Sequence, residues 1–156
     1  MKPMGVILDS QLLVLLVVGV TSRKYIGKHK RLSAYTADDF DLLCDYLTHF
    51  QSIVATPNTL TETSNLLRQI GDPIRSEILT MFRLLSCEQA EERYVTSISV
   101  MDTLEFVRLG LTDSALLMVA TESHHLLTAD FDLYLAATQR GLDAVNFNHL
   151  REQYTL

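Results

Sequence analysis

A chain of 156 residues with 47% hydrophobic and 21% charged side chains, six Gly and three Pro, has the apolar content of one packed domain and too little charge or low-complexity sequence for a disordered one. Its formal net charge of -6 argues against a protein that grips nucleic acid over its whole surface, while leaving room for a local basic strip. Cys44 and Cys87 stand alone without CxxC spacing, which argues against a zinc site or a disulfide framework and predicts two reduced core thiols.

Residues 4–8 are apolar without polar alternation, the habit of a parallel strand covered on both faces, and the run stops on Asp9. Asp9 or Ser10 then caps a helix over residues 11–20. Residues 12–20 are continuously apolar or Gly, but that is about half of what a bilayer requires, and only Lys2 precedes the run as a basic side chain. A buried helix in a cytoplasmic protein without membrane attachment is expected. Residues 21–35 hold the densest basic cluster, Arg23, Lys24, Lys28, Lys30 and Arg31, with Tyr25 and Tyr35 near its ends. They suit a solvated loop, or an arm that contacts a phosphate backbone or a partner.

An amphipathic helix follows over residues 38–50, with Phe40, Leu43, Cys44 and Leu47 inward and the acidic cluster Asp38, Asp39 and Asp41 on a solvated face. Residues 52–55 form a short strand, after which Thr56-Pro57 starts a helix with Thr as N-cap and Pro at its first position. Glu62 falls in the second turn of this helix, which stops at Gly71. Asp72-Pro73 starts another with Ile74, Ile78, Met81, Phe82 and Leu85 on one face, so the two form a tight helical hairpin.

Residues 86–92 are polar and read as a loop or short helix, and residues 97–109 as one helix closed by Gly110. Thr112-Asp113 opens the next. Asp102 and Glu105 belong to a polar face, with Glu105 also a candidate acid near the site. Residues 125–128 make a strand, Asp130 caps a helix running to Gly141, and residues 144–147 give a last strand before a C-terminal helix. Strands alternating with helices imply a single α/β domain over residues 1–156: a three-layer sandwich with a central, mostly parallel sheet of four to five strands flanked by helices.

In such a sheet, sites form beyond the carboxyl ends of the strands. Asp9, Glu62, Asp113 and Asp130 each have a local explanation at or near a helix start, but together they are positioned to meet at that edge. Carboxylates so gathered repel one another unless a cation compensates. Oxygen donors without thiolate or suitably spaced His select hard ions such as Mg²⁺ or Mn²⁺, the ions of phosphodiester hydrolysis.

The chain resembles the PIN-domain ribonucleases, and among them the toxin subunits of bacterial toxin–antitoxin pairs. Four segments in order carry the resemblance: Val6-Ile7-Leu8-Asp9-Ser10, Thr56-Pro57-Asn58-Thr59-Leu60-Thr61-Glu62, Leu111-Thr112-Asp113-Ser114-Ala115 and Leu126-Leu127-Thr128-Ala129-Asp130-Phe131-Asp132. The resemblance implies a PIN-like fold and an endoribonuclease in which Asp9, Glu62, Asp113 and Asp130 hold Mg²⁺ or Mn²⁺, assisted by the Ser10 and Thr128 hydroxyls. Asp132 is then either an outer support of the site or a helix N-terminal charge. The implied partners are an RNA substrate, an antitoxin protein and a second copy of the chain, docked through residues 74–85 or 100–107.

A solitary RNA-processing nuclease and a non-catalytic PIN-fold binding module are the alternatives. A haloacid-dehalogenase-like phosphatase would need Asp where Gln11 stands, and a response-regulator receiver would need paired acids and a late Lys with no counterpart here. Replacing one acid of the repelling cluster, as in Asp9→Asn or Asp113→Asn, is expected to leave stability unchanged or raised.

Overall fold

A computed structural model describes residues 5–122 and 124–154; Met4, the expected first residue of the opening strand, lies outside them. The strand β1 (Gly5–Leu8) is followed by α1 (Ser10–Thr21), α2 (Ala37–Leu47), β2 (Ser52–Ala55), α3 (Pro57–Leu67) and α4 (Ile74–Gln89). Then come β3 (Ala90–Glu92), α5 (Ser97–Met101), α6 (Phe106–Ala120), β4 (His125–Thr128), α7 (Phe131–Gln139), β5 (Ala144–Asn146) and α8 (Phe147–Tyr154). The five strands make one all-parallel sheet in the order β3-β2-β1-β4-β5.

The unbroken apolar character of β1 has a direct cause in this architecture. Val6 and Leu8 pack among α1 side chains, Leu43 of α2 and Ile78 of α4, while Ile7 points the other way onto Leu116 and Leu117 of α6 and Leu133, Ala136 and Ala137 of α7. Helices thus cover both faces of the sheet, and α1 lies so deep that its residues 12–18 are all buried. Close approach of α2 to α1 depends on Gly19, where a Cβ would stand 2.2 Å from the Phe40 ring. Among the described residues no helix is long and apolar enough to cross a membrane.

Helix starts fall where the capping residues put them. Asp9, Thr56 and Asp130 cap α1, α3 and α7, each side chain accepting from a backbone N–H three residues on. Elsewhere the chain departs from expectation. Residues 86–92 are not a loop: α4 runs to Gln89 and Ala90–Glu92 pair with β2 as an edge strand. Being polar and on an edge, it lacks the apolar run that marks a central strand. The connection between α3 and α4 spans residues 68–73 rather than a tight hinge.

Residues 97–109 are not one helix either. The chain leaves the helix after Met101 and re-enters it at Phe106; Gly110, at φ 82° and ψ 176°, then interrupts α6 where a helix end was expected, and a second helical segment carrying Asp113 follows.

Three local readings are corrected. Asp39 is buried rather than solvated: it closes a capping box with Thr36 and pairs with Arg151 of α8. Cys87 is exposed and so is not the core thiol expected, whereas Cys44 is half-buried against the core. Residues 21–35 are folded rather than a solvated loop: two short 3-10 turns set Ile26 and Leu32 into the core and bury His29 against the Leu67 carbonyl.

Candidate functional site

The sheet order reverses direction between β1 and β4, and the crevice beyond the carboxyl ends of these two strands is where open α/β sheets bind ligands. Leu8 stands opposite Leu127 in the register, so the residues that follow, Asp9 and Thr128, emerge side by side. The Thr128 hydroxyl donates to Asp9 Oδ2, which also accepts from the Ala129 N–H at 2.8 Å, while Asp9 Oδ1 accepts from Leu12 N–H at 2.9 Å. The next turn of the chain is fixed the same way, with Asp130 N–H donating to Thr128 Oγ1 at 2.9 Å and Asp130 Oδ1 capping Leu133 N–H at 2.9 Å.

Glu62 reaches this edge from the second turn of α3 and Asp113 from α6, whose packing against α3 brings the two acids together. Asp9, Glu62, Asp113 and Asp130 line one open cleft of about 260 Å³, along with Ser10, Gln11, Tyr35, Leu66 and Ala129. All four predicted acids therefore share one cleft. A larger concavity of about 610 Å³ lies elsewhere, walled by Leu16, Cys44, Leu47, Phe50, Ile53 and Leu85. Its acids are two, Glu88 and Glu91, against four in the smaller cleft, which is therefore the better chemical candidate.

Electrostatics ties the four acids together. Burial raises the Asp113 carboxyl, and the charges of Asp130, Asp9 and Glu62 raise it further, to about 7. Asp9 is also raised, mainly by burial, although hydrogen bonds from Thr128, Leu12 and Ala129 favour its ionised form and offset part of that effect. With three donors already on its two oxygens, Asp9 keeps one lone pair for a ligand. Three hydroxyls, Ser10, Thr63 and Ser114, are buried without a hydrogen-bond partner among the described residues, each directly after one of these acids in sequence. Of them only Ser10 lines the cleft.

The other predicted residues take lesser places. Asp132 is exposed in the first turn of α7, outside the cleft lining, where its charge complements the helix N-terminus. Glu105 is held by Arg140 at 2.6 Å and has no part in the cleft. Of the basic residues, Arg23 pairs with Asp41 at 2.7 Å, Arg31 donates to Gln69 at 2.7 Å and Lys28 sits 5.8 Å from the Tyr25 ring centroid; Lys24 and Lys30 extend into solvent. Gln11, a cleft residue, donates to the Arg31 carbonyl at 2.6 Å, which sets the basic segment against the cleft wall. Sequence reasoning missed Tyr35 as a cleft residue; its only signal was an aromatic ring at the end of a basic run.

Among the described residues no three His, Cys, Asp or Glu side chains are already gathered tightly enough to grip an ion. The donor chemistry nevertheless fits a hard divalent cation: the ligands are oxygen only, and the mutual repulsion that raises Asp113 is what such an ion relieves. Fold and cleft together define a class, an α/β protein with four carboxylates around the switch point of a parallel sheet. Compared with known proteins, the chain matches no family model and no curated sequence.

Proposed function

We propose that the protein is a metal-dependent endoribonuclease, with Asp9, Glu62, Asp113 and Asp130 as the residues that hold Mg²⁺ or Mn²⁺. The observation that carries this reading is the cleft in which four acids converge and lift Asp113 to about 7. When bound, the ion supplies a more acidic water and neutralises charge on the phosphate. The chain supplies the rest. Thr128 and the Ala129 N–H keep Asp9 oriented, Ser10 offers an unengaged hydroxyl beside it, and the basic segment against the Gln11 wall offers a path for the phosphate backbone.

Incubating the purified protein with a mixed RNA pool tests the reading. Cleavage is expected with Mn²⁺ and none with a chelator; a pool left intact under both conditions refutes it.

A second copy of the chain belongs to the same proposal. Ile98 of α5, Leu104 of the turn that follows it and Val107 at the start of α6 are 82%, 96% and 92% exposed, an apolar surface that a monomer leaves wet. The rival surface on α4 is smaller, since Ile78 is buried and Ile74, Met81, Phe82 and Leu85 are partly buried against the core, leaving Leu84 at 47% exposed. Light scattering should report a dimer for the wild type and a monomer for Leu104→Arg; two monomers would remove the claim.

A further inference from the structure

The acid cleft contains one aromatic side chain, and it is held more firmly than packing alone requires. The Arg151 guanidinium lies 4.7 Å from the Tyr35 ring centroid, and the buried Phe147 ring stands 6.4 Å away at 40°. Arg151 is itself anchored on four sides. It donates to Asp39 at 3.0 and 3.1 Å, to the Ala34 carbonyl at 2.6 Å and to Asn148 at 3.0 Å. The residue before Tyr35 and the helix after it are thereby pinned to α8. Such fixation yields a hydroxyl in a set position, and no hydrogen bond within the described residues engages that hydroxyl.

A phosphodiester entering four carboxylates needs donors that do not themselves neutralise those carboxylates. A Lys at this wall would pair with the acids and compete with a cation for them. A phenol offers a hydrogen bond without charge. Burial, with the nearby charge of Asp9, pushes the Tyr35 hydroxyl up to about 12, so it remains a donor at any pH at which the protein works. The amide of Gln11, the other large donor of the cleft, spends one of its two N–H groups on the Arg31 carbonyl.

We propose that Tyr35 is a substrate-binding residue whose hydroxyl donates to a non-bridging oxygen of the phosphodiester in the acid cleft. The inference rests on the ribonuclease reading, and it makes Arg151 the positioning residue that holds the ring.

Steady-state cleavage of a fluorogenic single-stranded RNA with Mn²⁺, using the full chain and Tyr35→Phe, is the test. One hydrogen bond to a charged oxygen predicts a KM raised about tenfold with kcat within about twofold. The thermal midpoint and the Mn²⁺ concentration for half-maximal rate should stay unchanged, because the lost hydroxyl makes no internal bond and is not a metal ligand. An unchanged KM overturns the inference while leaving the ribonuclease reading in place. So does a change confined to kcat or to the Mn²⁺ requirement. Wild-type protein without Mn²⁺-dependent cleavage overturns both.

Discussion

Asp113→Asn will abolish Mn²⁺-dependent RNA cleavage and, at pH 8, raise the thermal midpoint by about 3 to 6 °C. The activity loss should be about a thousandfold or more, the roughly 4 kcal/mol of charge stabilisation that depends on a properly held ion. The stability gain follows from linkage. Asp113 goes from 3.8 to about 7 on folding, so the folded state binds its proton more tightly than the unfolded chain does. Its contribution is therefore favourable below about pH 4, is eroded as pH rises towards 7 and is lost above that.

Asn removes the charge at every pH, so the advantage of Asp113→Asn is absent at pH 4, grows between pH 4 and 7 and then levels off. With Asp113 half-buried at an open cleft, solvent screening leaves about 1 to 2 kcal/mol of it, from which the expected rise in midpoint follows for a domain of this size. Thermal melts across that pH range check the claim, and a gain of the same size at pH 4 and pH 8 would contradict it. Added Mn²⁺ should raise the wild-type midpoint at pH 8 and leave the variant nearly unmoved.

The same experiment on Asp9 would be ambiguous. Asp9 accepts from Leu12 N–H, Ala129 N–H and the Thr128 hydroxyl, and Asn has one acceptor oxygen to offer them. The amide NH₂ would then face at least one N–H donor in a buried site, costing about 1 to 3 kcal/mol. Relief of a buried charge competes with that cost. The expectation that either substitution spares stability is therefore kept for Asp113 and not for Asp9, because Asp9 is an acceptor for three internal donors.

Features written in contiguous residues are legible in the sequence itself. The strand that ends on Asp9, the Thr56-Pro57 helix start and the Thr128-Ala129-Asp130 turn all depend on neighbours within a few positions, and all lie where expected. That Asp9 and Asp130 share a cleft follows from sheet topology, since parallel strands put their ends on one edge, whereas Glu62 and Asp113 are brought to it by the packing of α3 on α6. What escapes depends on pairing across long separations or on weak local pattern. Ala90–Glu92 is a strand because β2 has an open edge, and nothing in Ala-Glu-Glu announces it. Asp39 sits in an acidic run that looks solvated, yet its partner Arg151 lies 112 residues away. The place of Tyr35 is hidden for the same reason, because the ring is set by that pair.

Arg151→Ala is accordingly the substitution expected to cost the most stability. The side chains of Arg151 and Asp39 are only 26% and 13% exposed and meet through two nitrogens of the guanidinium, Nε and Nη2. Truncating the Arg leaves Asp39 largely desolvated without its counter-charge, and it removes donors to the Ala34 carbonyl and Asn148 as well. Loss of a fully buried partner costs about 3 to 5 kcal/mol, and partial exposure with the remaining Thr36 N–H bond to Asp39 reduces that to about 3, a fall of about 6 to 12 °C in midpoint. Asp39→Ala alone should cost less, since Arg151 can turn its charge to solvent, and the double variant should be milder than the sum by about 1 to 2 kcal/mol. Additive losses would mean that the pair contributes nothing as a pair. Arg151→Lys separates charge from shape: a single ammonium keeps the attraction to Asp39 but lacks the planar fork that reaches two further acceptors and stacks on Tyr35. It should recover much of the stability while leaving the Tyr35 ring free to swing, so that KM for RNA stays raised in a protein that melts nearly as the wild type does.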